Sequence, residues 1–179
     1  YTIKIEGTDA TAATASQLTT INNATTVAVD ASEVTGLETD SISNIKTLLE
    51  AGNDTAQFTG ESFSLLEAVA VSDSTLDVTE LNDAIDLANT ITGLDNAVTA
   101  FSLSIGATIN GGDESAFATL ITNEDNGQIL ITDQNLVVDS GTVNVNTAND
   151  LDGITGGIVT ASIATDSVSY THLTLPTTT

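Results

Sequence analysis

Apolar residues recur along this chain with two periods, and the two alternate. Apolar and polar positions alternate over Thr2 to Glu6 (Ile3, Ile5), Thr26 to Asp30 (Val27, Val29), Ala68 to Ser72 (Val69, Val71), Val98 to Ile105 (Phe101, Leu103, Ile105) and Gln128 to Thr132 (Ile129, Ile131). A sixth β-type run covers Gly157 to Ile163. Each predicts a short strand. Between the strands, apolar side chains three and four residues apart predict helices from about Ala12 to Ala24 (Ala15, Leu18, Ile21), Asp40 to Ala51 (Ile42, Ile45, Leu48, Leu49) and Val78 to Asn89 (Leu81, Ile85, Ala88). Shorter helices are expected after Asp113 (Phe117, Leu120, Ile121) and after Asn146 (Ala148, Leu151, Ile154). Asp77, with Glu80 three residues on, reads as a capping box in which Asp replaces Ser or Thr. Each helix can bury only one face, so the strands must supply the surface that covers it.

Strand centres lie roughly 25 to 30 residues apart over much of the chain, room for one strand, one turn, one helix and a return. The segments themselves also align. TASQLTTINNATTVAV (Thr14 to Val29) and TANDLDGITGGIVTASI (Thr147 to Ile163) share Thr-Ala, a Leu three residues after the Ala, an Ile three further on and then a β-type run. VTELNDAIDLANTITGL (Val78 to Leu94) keeps the Leu and needs one inserted residue to reach Ile85. The expected fold class is α/β, a solenoid-like stack of short parallel strands with helical returns and right-handed crossovers. At ~4.8 Å per strand, six strands would extend roughly 25 to 30 Å. Asn53 to Glu67 does not fit the pattern.

Charge narrows the chemistry. The chain has 25 Asp and Glu against 2 Lys, with one His and no Cys, Met or Trp, for a formal charge of −23. Only Lys4 and Lys46 could displace counterions from phosphates, which excludes a nucleic-acid surface. No Gly-rich phosphate loop occurs, and no apolar run approaches the roughly 18 residues that span a bilayer. Without Cys, neither a thiolate nucleophile nor a sulfur-ligated metal is open to it. Carboxylates remain. A carboxylate-pair glycosidase usually stacks its sugar on aromatic faces, and aromatics make up only 3% of this chain. Calcium suits the donors better, since it takes several oxygens from flexible loops. The loops that could supply them are Asn53-Asp54, Gly111-Gly112-Asp113-Glu114, Asn123 to Gly127 and Asn149 to Gly153, with Asp113, Asp125, Asp150 and Asp152 as candidate ligands. The same residues are the ones turns and helix caps favour.

His172, Pro176 and Tyr170 cluster in the last ten residues, apart from the composition upstream. VSYTHLTLPT, Val168 to Thr177, resembles a translated sequencing adapter of the kind that ends a metagenomic fragment. The expected organisation is therefore a repeat region over residues 1–167 and a non-native tail over 168–179. Without His172, no histidine remains to act as a base or metal ligand. The chain opens at Tyr1 rather than Met, from which an incomplete N terminus is expected.

TASQLTTINNATTVAVDASEVTGL (Thr14 to Leu37), with its T-A-x-x-L-x-x-I helix and V-x-V-D-A-S-x-V-T run, resembles the Thr/Ala-rich repeats of very large bacterial surface and secreted proteins, adhesin-like and RTX-associated. That resemblance is clearest over residues 1–52. It implies a structural and interaction module at the cell surface or outside the cell, without catalytic residues. Its expected partners are neighbouring repeats of the same chain and surface glycans or proteins, with no nucleic acid and no membrane insertion. The alternatives are a calcium-binding module that orders on export and a non-catalytic piece of a larger secreted enzyme.

Overall fold

The computed structural model describes residues 1–92 and 99–164. Its elements, in order, are β1 (Ile3–Lys4), α1 (Asp9–Ala12), α2 (Ala15–Asn23), β2 (Val29–Asp30), β3 (Gly36–Asp40), α3 (Ile42–Gly52), β4 (Ala68–Val71), β5 (Thr75–Asp77), α4 (Val78–Thr92), β6 (Ala100–Ser102), β7 (Thr108–Gly112), α5 (Glu114–Asp125), β8 (Ile129–Leu130), β9 (Asn135–Val138), α6 (Val145–Ile154) and β10 (Val159–Thr160). The fold is mixed α/β with parallel sheets. Strands β3, β4, β6 and β8 form one sheet in that order, β5, β7, β9 and β10 form a second, and β1 pairs with β2. Each helix from α2 to α6 packs on the next along the chain.

Parallel pairing in register turns the apolar position of each strand into a file of side chains. Leu37 lies opposite Val69, Val69 opposite Phe101 and Phe101 opposite Ile129, and all four are buried. In the second sheet Leu76, Ile109, Leu136 and Val159 follow one another in the same way. Leu18, Ile45, Leu81 and Phe117 close the core from the helix side. Each fully buried side chain of this size contributes roughly 1.5–3 kcal/mol of apolar transfer.

All five expected helices form. Their starts are set by side-chain caps: Thr14 and Gln17 make a complete capping box on α2, while Ser41, Asp113 and Asn144 accept from backbone N–H groups three residues on in α3, α5 and α6. The strands are shorter than the alternation suggested; β3 in the first sheet was not anticipated, and of the second sheet only β10 falls within an expected run. Thr75–Asp77 and Thr108–Gly112 each carry a single large apolar residue between polar ones, too little for a period of two to register. The run from Val98 to Ile105 keeps only Ala100–Ser102 as strand, and Ile105 is 91% exposed in the turn that follows. Val98 itself, and the tail at 168–179 with His172, lie outside the described residues.

Asn53 to Glu67, which fits no repeat pattern in sequence, holds its place by backbone pairing. Val29 donates to Gln57 O at 2.9 Å, Thr59 donates to Val29 O at 2.9 Å, and Phe63 donates to Ala31 O at 3.1 Å. The Phe58 and Phe63 rings meet at 5.1 Å and are fully buried. Gly52 makes room for them, since a Cβ there would stand 2.8 Å from the Phe63 ring. Phe63 has φ 62, a left-handed conformation that a bulky residue adopts only when its surroundings hold it there.

Candidate functional site

Helices begin with backbone N–H groups that have no partner inside the helix, and the first turn carries the positive end of the dipole. Helices α2 to α6 start at the ends of β3, β5 and β7 and in the loops after α1 and β9. Carboxylates gather there. Asp77 accepts from the Thr79 and Glu80 N–H groups at 2.9 and 3.0 Å, and Asp113 from Ala116 at 3.1 Å.

Several of these carboxylates bind an element other than their own. Asp40, at the end of β3, accepts from the Ser16 N–H of α2 at 2.8 Å as well as from Ser41 N–H at 2.8 Å and the Asn44 amide at 2.7 Å. Asp73 accepts from Ile42 N–H, the first residue of α3, at 2.7 Å. Asp139 accepts from Gly111 N–H at 3.2 Å. Glu114, at the start of α5, takes the Asn144 N–H at 3.0 Å and the Thr147 hydroxyl at 2.7 Å, together with the Asn144 side-chain amide. Partial burial opposes ionisation of Asp40, but the bonds from Asn44, Ser16 and Ser41 outweigh it and hold its pKa below the usual value. The Asn144 N–H, then the Thr147 hydroxyl, lower that of Glu114.

Both lysines also join successive elements. Lys4 reaches Glu33 at 2.6 Å, and Lys46 on α3 reaches Asp83 on α4 at 2.8 Å. Asn82 on α4 donates to Ala116 O at 2.9 Å and accepts from Asn123 at 3.0 Å, both on α5.

The four candidate calcium ligands do not converge. Asp113 caps α5, and Asp125 is exposed at the other end of that helix. Asp150 and Asp152 are exposed on α6, two positions apart and so pointing about 200° from one another around the helix. In the Asn53-Asp54 turn the Asp54 carboxylate holds Ala56 N–H at 2.9 Å and the Gln57 amide at 3.0 Å. Among the described residues, no group of three or more His, Cys, Asp or Glu is placed to hold a metal ion. A shallow depression of about 590 Å³ beside the starts of α5 and α6 is lined by Asp113, Glu114, Ser140, Asn144 and Thr147 among others. It offers hydroxyls, amides and carboxylates, chemistry suited to hydrogen bonding. No helix among the described residues is long and apolar enough to cross a membrane.

Asp40, Asp73 and Asp139 were not among the candidate site residues, and Glu114, named in a candidate calcium loop, instead holds the start of α6. A signal was present, an Asp closing a short β-type run just ahead of a helix at Asp40 and Asp77. Which helix start each carboxylate would reach depends on which segments lie side by side. No family model, curated protein or solved structure matches this chain.

Proposed function

We propose that this chain is a section of an α/β solenoid serving as a structural and interaction scaffold of a large extracellular bacterial surface protein. The observation that carries the reading is order: both sheets and the helix row run in chain order, so each strand–helix unit meets the one before it and the one after it. Polar groups support it. Hydroxyls at Thr99, Ser102 and Ser104 donate to the Leu66, Val69 and Val71 carbonyls one unit earlier, and the carboxylates are engaged with backbone amides of neighbouring units. In this reading the acidity is a means of joining units and keeping the surface solvated, with no substrate implied. The surface setting comes from the resemblance of Thr14 to Leu37 to adhesin-like repeats, and the hydrogen-bonding depression beside α5 suits a glycan or protein partner.

A quasi-one-dimensional array loses stability stepwise when an end unit is removed. A chain ending at Ser140, without α6 and β10, should keep the remaining helical signal and melt cooperatively at a lower temperature. Complete unfolding of that chain would refute the solenoid. Antibody labelling of intact source cells tests the surface setting, and signal only after lysis would overturn it.

A further inference from the structure

We propose that the outer face of α1 and α2 is a stacking surface whose occupant is another α/β layer of the same kind. This rests on the solenoid reading and adds a site to it. Helix positions can be compared by counting from the cap residue, Thr14, Ser41, Asp77, Asp113 and Asn144 for α2 to α6. The fifth position after the cap points toward the following helix and the sixth toward the preceding one. Lys46 on α3 meets Asp83 on α4 in this way, and Asn82 on α4 meets Ala116 O on α5. At about 100° per residue, the seventh position lies between the core and the preceding side.

That seventh position holds Ile21, Leu48, Ala84, Leu120 and Leu151. Four of the five are fully buried, and each of those four belongs to a helix that packs on the helix before it, as α2 does not pack on the short α1 to a comparable extent. Ile21 is the exception, as large an aliphatic side chain as any of them and only half-buried. It lines an open groove of about 520 Å³ with Ala12, Ala13, Gln17 and Thr20. Apart from Asp9 at the rim, the groove carries no charged side chain, in a chain of charge −23. The chemistry it fits is the face that α3 turns toward α4, with aliphatic residues at the first and eighth positions (Ile42, Leu49) and a donor at the fifth (Lys46). The interface is continuous with those that repeat from α2 to α6.

The chain has no cysteine, so one introduced thiol reports one place. Thr20→Cys is placed in the full chain and in a chain with residues 29–55 repeated ahead of Tyr1, which sets Ile3 at the spacing from the added strand that Phe58 keeps from Val29. The added layer should raise the helical circular dichroism and slow maleimide labelling at position 20 at least tenfold, with Thr90→Cys on α4 labelling at an unchanged rate. Equal labelling at position 20 in both chains overturns the proposal. So does an added layer that stays unfolded, since the face would then not accept one. Truncation at Ser140 tests the solenoid independently, so a stable truncated chain with an unprotected position 20 would discard the stacking face alone.

Discussion

Asp40→Asn isolates the carboxylate that joins the end of β3 to the start of α2. The substitution keeps the shape and one acceptor oxygen, and removes the charge from beside two helix starts and one acceptor from a set of three donors. A charge at a helix N terminus is worth roughly 0.3–1 kcal/mol, and one ordinary hydrogen bond about 1 kcal/mol. With Asp40 partly buried, the expected loss is about 1–2 kcal/mol at neutral pH. Removing one of 25 acids also relieves repulsion, an effect of opposite sign that 1 M NaCl suppresses because screening then acts over about 3 Å. Urea unfolding followed by far-UV circular dichroism in that salt gives the difference between the two chains. Its pH dependence has a definite sign. The folded pKa of Asp40 is lowered, so its ionised form contributes stability that is fully present above the unfolded value of about 3.9 and is lost as pH falls through the lower folded value. The gap between wild type and Asp40→Asn should therefore close in acid. A gap near zero at neutral pH, or one that widens on acidification, would refute the role given to this carboxylate.

Phe101→Ala empties the middle of the Leu37–Val69–Phe101–Ile129 file and should cost about 3–5 kcal/mol in urea unfolding; a loss below 1 kcal/mol would mean the file is not a packed core. Gly111 has φ +81, and a Cβ there would stand 2.2 Å from the Asp77 carboxylate that caps α4. Gly111→Ala should cost about 2–3 kcal/mol, combining left-handed strain with a lost cap, whereas Gly141→Ala, at φ +78 with nothing within 4 Å, should cost only about 1 kcal/mol. Equal costs at the two glycines would remove the cap contact from the argument. With the carboxylates engaged by backbone amides, CaCl2 and NaCl of matched ionic strength should raise the melting temperature equally, and a shift specific to micromolar calcium would establish a calcium site instead.

The helices were legible because each carries its own record. Ile42, Ile45, Leu48 and Leu49 mark a buried face over eleven residues, and a cap residue stands in front. Most of the second sheet was not. A two- or three-residue strand such as Thr75–Asp77 is defined by the neighbour it pairs with, and its own sequence shows only one Leu between polar residues. The Asn53 to Glu67 stretch was opaque for the same reason, because what orders it is pairing with Val29 and Ala31, some thirty residues away. The candidate calcium loops were found by residue type alone. Asp113 turned out to be a helix cap, as that position also favours, while Asp125, Asp150 and Asp152 sit on separate exposed faces.

By itself the sequence determined local matters: where helices start, which face of each is apolar, that two lysines must serve 25 acids, and that no sulfur chemistry is open to the chain. Those depend on neighbours within a turn or two, or on composition. Tertiary structure decided which strands share a sheet, which apolar residues line up in files, and which helix start each carboxylate reaches. The physical reason is that backbone pairing carries little side-chain signature. Asp40 can satisfy Ser16 only once β3 and α2 lie side by side, and that juxtaposition is set by packing between segments distant in sequence.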